Sequence, residues 1–139
     1  MHESTTFILG YPELAQTVGL VGRIKFNENS KVQVFCDALP EFNHNQMVAM
    51  GLGPQCTVLL LSDYRVKDRR AHRLAVCEAY FSNAGVKTLL LDLPGDSKYL
   101  SVLTGLWILD FASLVLAQQR GVDPQSISAI EAFKALLNR

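Results

Sequence analysis

A carboxylate and an imidazole stand on two asparagine-rich segments that lie close together in the sequence. Glu28 belongs to the run Asn27-Glu28-Asn29-Ser30-Lys31, and His44 belongs to the run Pro40-Glu-Phe-Asn43-His44-Asn45. Carboxylates and imidazoles are common proton carriers in enzymes, because their pKa values can be brought close to neutrality. Since the flanking segments are apolar, both runs are predicted to be polar turns displayed by a packed scaffold. The two runs are therefore candidates for a proton-transfer site.

The residue types alone leave a purely structural role open for both side chains. A glutamate in a turn is commonly solvated, and a histidine beside asparagines is commonly a helix cap or a hydrogen-bonded surface residue. The sequence contains no P-loop, no G-x-G-x-x-G and no G-x-S-x-G elbow. Its three histidines are too dispersed to form a metal site.

A second charged segment follows the strand predicted at 56–62. Basic residues crowd the first turns of the helix expected there, namely Arg65, Lys67, Arg69, Arg70, His72 and Arg73. Charges opposite an apolar stripe are typical of a solvated helix face, and a partner or phosphate contact is the alternative. Asp63 is predicted to cap this helix, although the carboxyl edge of a parallel sheet is where open α/β folds bind ligands.

The elements that position these residues alternate between strands and helices. Strands are predicted at 6–9, 32–36, 56–62 and 86–93, and helices begin at 12, 44, 64, 97 and 126. Continuous apolar runs in the last two strands are typical of parallel strands buried on both faces. The alternation predicts one domain, 1–139, with a three-layer α/β fold: a central, mainly parallel sheet flanked by helices, of flavodoxin/Rossmann-like topology.

The composition argues against some classes of partner. Thirteen lysines and arginines balance 13 aspartates and glutamates, so no basic field exists to recruit nucleic acid. The three cysteines, Cys36, Cys56 and Cys77, are odd in number and widely spaced, which favours reduced thiols in a cytoplasmic protein over disulfides or zinc. The first residues lack the pattern of a signal peptide. Zero net charge with 49% hydrophobic residues favours a partner surface.

The segment 99–117 approaches the length of a membrane span. It is apolar or small almost throughout, and about 20 such residues are needed to cross a bilayer. Asp110 lies well inside the segment, where a carboxylate costs about 2.5–3.5 kcal/mol near the bilayer centre. We therefore expect a helix of a folded domain, covered on most sides, and no membrane partner.

The two asparagine-rich runs closely resemble the C-terminal half of the bifunctional phosphoglucose/phosphomannose isomerases, in the sugar isomerase (SIS) superfamily. The family pattern is approximately N-E-N-[SA]-K … P-E-x-N-H-N-E, and the sixteen-residue offset from Glu28 to His44 is reproduced. The tail is also similar, in Asp110-Phe, in Gly121-Val-Asp-Pro124 and in Ile130-Glu-Ala-Phe-Lys134. The resemblance runs over nearly the whole chain and implies a SIS-like domain.

The resemblance also implies roles for individual residues. Glu28 corresponds to the base that moves a proton between C1 and C2 of a sugar phosphate through a cis-enediol. His44 corresponds to the group that assists ring opening and is contributed across a dimer interface. Lys134 corresponds to a lysine at the site, with an ordinary solvated lysine as the alternative. Asn27, Asn43 and Asn45 are implied as substrate-binding neighbours, and neither chemical step requires a metal or an organic cofactor.

Two departures from the family pattern bear on what the chain does. Gln46 stands where the family usually has glutamate. Family members are about twice this length, and their N-terminal half carries the Ser/Thr-rich loop that holds the sugar phosphate. No Ser/Thr cluster follows a strand in this sequence.

Three interpretations follow from these departures. In the first interpretation, the chain is one half of an aldose–ketose isomerase that works with an N-terminal SIS domain or a second subunit. Alternatively, it is a non-catalytic module that binds carbohydrate phosphates, or a scaffold that uses only the family's dimer surface. Retention of both Glu28 and His44 favours the first interpretation, and the family's shared site predicts a homo-oligomer.

Overall fold

Four parallel strands form the central sheet of the protein, in the order β2-β1-β3-β4. The computed structural model describes residues 5–51, 53–63 and 65–137. The strands are β1 (Thr5–Gly10), β2 (Val34–Ala38), β3 (Cys56–Asp63) and β4 (Lys87–Leu93). All three neighbouring pairs are parallel, so the predicted α/β fold with a parallel sheet is confirmed.

The chain reverses its direction across the sheet between β1 and β3. From β1 the chain first moves to β2 on one side, and the crossover through residues 39–55 then brings it to β3 on the other side. Phe7 of β1 lies opposite Phe35 of β2 and Val58 of β3. The carboxyl ends of β1 and β3 therefore form a topological switch point, where open α/β sheets have a crevice.

Helices cover both faces of the sheet. A continuous helical run comprises α1 (Pro12–Leu14), a π-helical turn (Ala15–Gly19) and α2 (Leu20–Ser30). A 3-10 turn (Glu41–His44) precedes α3 (Gln46–Ala49), and three longer helices follow: α4 (Arg69–Asn83), α5 (Lys98–Arg120) and α6 (Ser128–Leu137).

The core divides into two clusters because alternate strand residues point to opposite faces. On the face that we call the α4 face, Phe7 and Leu60 pack with Phe42, Leu74 and Phe81. On the opposite face, the α2 face, the cluster comprises Ile8, Leu14, Val18, Val32, Val34, Leu61, Leu93 and Leu109. The sheet thus separates α2 and α5 from α4 and the turn at 41–44.

Helix α5 turns small residues inward. Its buried positions recur every four residues at Ser101, Gly105, Leu109, Ser113 and Ala117. A Cβ built on Gly105 would stand 2.9 Å from Val18 Cγ1, and a Cβ on Gly22 of α2 would overlap Leu109 Cδ1. Close approach of α5 to the helical run from Pro12 to Ser30 therefore depends on these two glycines.

The opposite side of α5 carries large apolar residues. Trp107 and Phe111 are 71% and 70% exposed, in a stripe with Leu100, Leu103 and Leu114. The expectation that this helix is covered on most sides is therefore wrong for this chain. Among the described residues, α5 is the one helix long and apolar enough to cross a membrane by length and composition. It packs along α2, and Lys25 Nζ of α2 lies 3.1 Å from Asp110 Oδ1.

Several local predictions need correction. The residues 27–30 are the last turn of α2 and not a separate turn. Strand β4 lies at an edge of the sheet, so Leu89 and Leu90 are about half exposed instead of buried on both faces. The cap of α4 is Asp68, whose side chain accepts from Arg70 N, and not Asp63. The terminal helix was predicted over 126–138 and spans Ser128–Leu137, while residue 138 lies outside the described residues.

Candidate functional site

Glu28 lies in the last turn of α2, on an exposed surface at the edge of the sheet where the strands begin. Asn27 Oδ1 accepts a hydrogen bond from Val34 N at 2.9 Å, which ties the end of α2 to the start of β2. Lys31 ends the helix in the left-handed region, at a φ of 55°, and its Nζ donates to the backbone carbonyl of Glu28. The helix end is therefore fixed by the neighbours of Glu28.

Two further neighbours of Glu28 bind α5. Asn29 Nδ2 donates to Ser113 Oγ at 2.8 Å, and the fully buried Ser30 donates through Oγ to the carbonyl of Ser113 at 2.7 Å. Arg120 Nε donates to the carbonyl of Ser30 at 3.0 Å. Within the described part of the chain, the Glu28 carboxylate itself has no hydrogen-bond or ion-pair partner. It is thus an exposed carboxylate on a rigid helix end.

His44 ends the 3-10 turn that follows β2 after a cis Leu39–Pro40 bond. The turn is held by Phe42, which is fully buried on the α4 face. The Phe42 ring meets Phe7 edge-on at 5.9 Å and Phe81 at 6.3 Å between centroids. A buried aromatic residue two positions away therefore fixes the backbone of an exposed histidine.

The asparagines beside His44 have protein partners. Asn43 Oδ1 accepts from Arg73 Nη1 of α4 at 3.4 Å, and Asn43 Nδ2 lies 3.6 Å from Cys77 Sγ. Asn45 caps α3 through Gln46 N, and its Nδ2 donates to Glu41 Oε1 at 3.0 Å. These bonds, like that of Asn27, are structural, and contact of the three asparagines with a substrate stays a prediction.

The sheet stands between Glu28 and His44. Glu28 belongs to α2, at the amino edge of the α2 face, whereas the turn of His44 packs through Phe42 on the α4 face. One chain therefore does not bring the carboxylate and the imidazole together. A site that uses both residues needs a second copy of the chain.

Lys134 lies on α6, none of whose residues is buried. Ile130, Phe133 and Leu136 of the same helix are 43–61% exposed. The apolar side of α6 is therefore uncovered in this chain, and Lys134 forms no ion pair with Glu28 within the described residues.

Sequence reasoning gave little weight to a charged crevice at the switch point. A cavity of about 200 Å³ opens there beside Tyr11, between charged residues that include Glu13, Asp63, Arg65, Arg70 and Lys98. Arg65 Nε donates to Asp63 Oδ1 at 2.8 Å, and the hydrogen bonds from Arg65 hold the pKa of Asp63 below its usual value. The feature of the sequence that pointed to this crevice was the position of Asp63 at the carboxyl end of a predicted strand.

Tyr11 separates this cavity from a wider groove. Arg70 lies 5.9 Å from the centroid of the Tyr11 ring. Burial raises the pKa of the Tyr11 hydroxyl, and Arg73 opposes this effect.

No group of three His, Cys, Asp or Glu residues in the described parts of the chain is arranged to hold a metal ion.

Comparisons with known proteins agree with the arrangement of strands and helices. Residues 1–137 match the family described as bacterial phospho-glucose isomerase C-terminal SIS domain. A bifunctional phosphoglucose/phosphomannose isomerase of Aquifex aeolicus is 27% identical over 141 residues, which is 95% of this chain and 44% of that protein. Its counterpart in Thermoplasma volcanium is 29% identical over 113 residues, 81% of this chain and 36% of that protein.

A solved structure has a similar fold. A glucose-6-phosphate isomerase like protein from Thermus thermophilus superposes with a TM-score of 0.68 at 14% identity, over 96% of this chain and 43% of that one. The chain thus spans less than half the length of the proteins it matches.

Proposed function

Because the chain belongs to the bacterial phospho-glucose isomerase C-terminal SIS domain family, we propose that it supplies the acid–base half of a sugar-phosphate isomerase. The substrates are glucose 6-phosphate or mannose 6-phosphate, and the product is fructose 6-phosphate. The observation that carries this proposal is the local structure around Glu28 and His44. At each segment the neighbouring side chains hold the backbone, while one exposed ionisable side chain stays available.

The roles of the two side chains follow from the chemistry of the reaction. Glu28 takes the proton from C2 of the open-chain aldose and returns it to C1 through a cis-enediol. His44 exchanges a proton with the ring oxygen, because an imidazole nitrogen can both donate and accept a proton. Lys134 neutralises charge on the phosphate or the enediolate. These steps use no metal and no organic cofactor.

The opposite placement of Glu28 and His44 supports an assembly of more than one chain or domain. The isomerases that the chain matches are more than twice its length, which leaves room for a partner domain in each of them. We propose that an N-terminal SIS domain holds the substrate phosphate and that His44 comes from a second copy in a homo-oligomer.

The outward side of α5 supports such a partner. Trp107 and Phe111 continue into an apolar stripe, and β4 presents the unpaired side of an edge strand with Leu89 and Leu90. Contiguous exposed apolar surface of this kind marks an interaction site in soluble proteins. All three cysteines are free thiols, which supports the proposal that the assembly works in the cytoplasm.

The cation-lined crevice favours a second candidate, a non-catalytic module that binds carbohydrate phosphates. The two candidates differ in whether Glu28 matters, because the crevice lies at the carboxyl edge of the sheet and Glu28 lies at the amino edge. A module of this kind would bind phosphate esters without turning them over.

The deciding experiment mixes the chain with the N-terminal SIS half of the Aquifex aeolicus relative. Formation of fructose 6-phosphate from glucose 6-phosphate and from mannose 6-phosphate is then followed. We expect turnover in the mixture and none with either part alone. No turnover in a mixture shown to associate would leave the binding module as the function, and wild-type turnover by Glu28→Gln would overturn the assignment of the base.

A further inference from the structure

Arg73 of α4 carries a positive charge that no carboxylate neutralises in the part of the chain that the structure describes. Other basic side chains there form ion pairs with aspartates or glutamates, but Arg73 forms none. Arg73 is exposed and lines the wider groove beside Tyr11. The contacts of its guanidinium are therefore with neutral groups.

These neutral groups belong to the segments that follow β1 and β2. Arg73 Nη1 donates to Asn43 Oδ1 at 3.4 Å, across 30 residues of sequence. Burial raises the pKa of the Tyr11 hydroxyl, and a hydrogen bond with Arg73 is among the interactions that oppose this effect. Since α4 itself follows β3, the Arg73 side chain connects the segments after three neighbouring strands.

The side-chain amide of Asn43 depends on Arg73 for its orientation. Asn43 Nδ2 lies 3.5 Å from Met47 Sδ and 3.6 Å from Cys77 Sγ, and sulfur is a weak acceptor. The Cys77 thiol is also a weak donor and stands 3.9 Å from Asn43 Oδ1. A hydrogen bond from a guanidinium is about twice as strong as one between neutral groups. Arg73 is therefore the strongest described partner of this amide.

Asn43 stands between the buried anchor of the turn and the exposed imidazole. The buried ring of Phe42 holds one side of the turn, whereas His44 on the other side is exposed. The backbone N–H of Asn43 donates to the carbonyl of Pro40 at 2.9 Å. A contact that holds the Asn43 side chain thus restrains the residue directly before His44.

We propose that Arg73 is a positioning residue for His44: by holding Asn43, it fixes the direction in which the turn presents the imidazole. Arg73 touches no reacting atom in this proposal. Its effect on turnover rests on the proposed isomerase function, because that function requires a correctly placed His44. Its effect on the turn does not, and is measurable on the chain alone.

Amide hydrogen exchange, followed by NMR, measures the effect on the turn. Arg73→Ala should speed exchange of the Asn43 amide by about tenfold, the effect of losing one charge-assisted hydrogen bond. Arg69→Ala removes the same charge from the same helix, at a side chain that has no hydrogen bond to Asn43 among the described residues. This control should leave the exchange rate within about twofold of the wild type. Both variants should keep the wild-type melting temperature within about 3 °C, because each removes an exposed side chain.

Kinetics of the chain assembled with an N-terminal SIS half separate positioning from substrate binding. Arg73→Ala should lower kcat by about 10- to 100-fold, because a misplacement of about 1 Å is enough to cost about 100-fold. KM should stay within about twofold, whereas loss of an arginine that only bound the substrate would raise KM. Arg69→Ala should retain the wild-type kcat.

Subunit mixing shows which group Arg73 serves. Glu28→Gln supplies an intact Arg73 and His44, so its equal mixture with Arg73→Ala should recover about a quarter of wild-type turnover, from the intact site of each mixed dimer. The mixture of Glu28→Gln with His44→Ala is the reference and should recover to the same level. Recovery in the reference alone would show that Arg73 serves the site of Glu28 in its own copy and would overturn the proposal.

Two further results would contradict the role of Arg73. One is an unchanged exchange rate of the Asn43 amide in Arg73→Ala, and the other is a raised KM with an unchanged kcat. Absence of turnover in the assembled wild type would instead contradict the proposed isomerase function. Hydrogen exchange on the chain would still test whether Arg73 holds the turn.

Discussion

The helix end at 27–31 and the turn at 41–45 are held in place by different kinds of contact. Each presents an exposed ionisable side chain, Glu28 or His44, that has no hydrogen-bond partner among the described residues. In each, neighbouring residues hold the backbone. The helix end is held by hydrogen bonds to a distant helix, through Asn29 and Ser30. The turn is held by one buried aromatic ring, that of Phe42.

In both segments, some residues hold the backbone while a neighbouring side chain stays exposed. Around Glu28, the side chains of Asn27, Asn29 and Ser30 form hydrogen bonds to the backbone or to α5, and the carboxylate of Glu28 forms none among the described residues. Near His44, the backbone is held by packing of the Phe42 ring against Phe7 and Phe81, and the imidazole stays exposed. Function should therefore depend on the exposed residue in each segment, and stability should depend on its neighbours.

The largest effect should come from Glu28→Gln in the chain assembled with an N-terminal SIS half. Removing the proposed general base should reduce kcat by about 10²–10⁴-fold, while the melting temperature stays unchanged because the carboxylate has no partner among the described residues. Glu78→Gln on α4 is the control and should retain full turnover. A large loss of stability in Glu28→Gln would contradict the division between function and structure.

Complementation tests whether His44 and Glu28 come from different copies. Glu28→Gln and His44→Ala should each be inactive, but an equal mixture that exchanges subunits should recover about a quarter of wild-type turnover, since half of the dimers are mixed and each holds one intact site. The mixture is compared with each variant alone at the same total concentration. If the mixture stays inactive, each site draws both residues from a single copy.

The two anchors should differ in what they contribute to stability. Phe42→Ala should lower the free energy of unfolding by about 3–5 kcal/mol, because it empties a fully buried ring site. Ser30→Ala should cost about 1–3 kcal/mol, because the carbonyl of Ser113 loses a buried donor. Urea unfolding measures both, and Phe35→Ala, at a half-exposed ring, should cost less than Phe42→Ala. An equal loss of unfolding free energy in Phe35→Ala and Phe42→Ala would show that the Phe42 ring does not anchor the turn.

The smallest effect concerns β2, the strand that joins the two segments. Burial raises the pKa of the Cys36 thiol from 9.0 to about 11, and the thiol lies 3.4 Å from the carbonyl of Ala15. Because the folded pKa is raised, this contribution to stability is complete below about pH 9 and is lost as the pH rises towards 11.

We therefore expect the wild type to lose more stability than Cys36→Ala between about pH 8 and pH 11, by less than about 1 kcal/mol because the thiol is partly exposed. Urea unfolding at several pH values measures the difference. Parallel pH profiles for the two proteins would contradict it.

Most of the fold follows from local patterns in the sequence. The runs at 56–62 and 86–93 predicted parallel strands. The apolar stripe expected opposite the basic residues of α4 is found at Leu74, Cys77 and Phe81, which are buried. The helix predicted to begin at 97 is α5, and the side chain of its cap Ser97 accepts from Leu100 N. These features depend on residues near one another in the chain.

What the sequence left open depends on position in space. A continuous apolar run does not distinguish a central strand from an edge strand, so the exposure of β4 was missed. Helical periodicity likewise did not reveal that α5 turns its small residues inward. The spacing of Glu28 and His44 identified both residues, but only the packing of α2 and Phe42 shows that the sheet separates them.

The hydrogen bonds of Ser30 also set an order of events during folding. Ser30 and Asn29 reach their partner Ser113 across 83 and 84 residues, and Arg120 closes a loop of 90. Contacts of such long range are slow to form, because the entropy of loop closure is lost before they are made. Glu28, which lies near the start of the chain, is therefore positioned late, after α5 has been synthesised and has docked. A nascent chain that stops short of α5 carries Glu28 without the end of α2 that positions it.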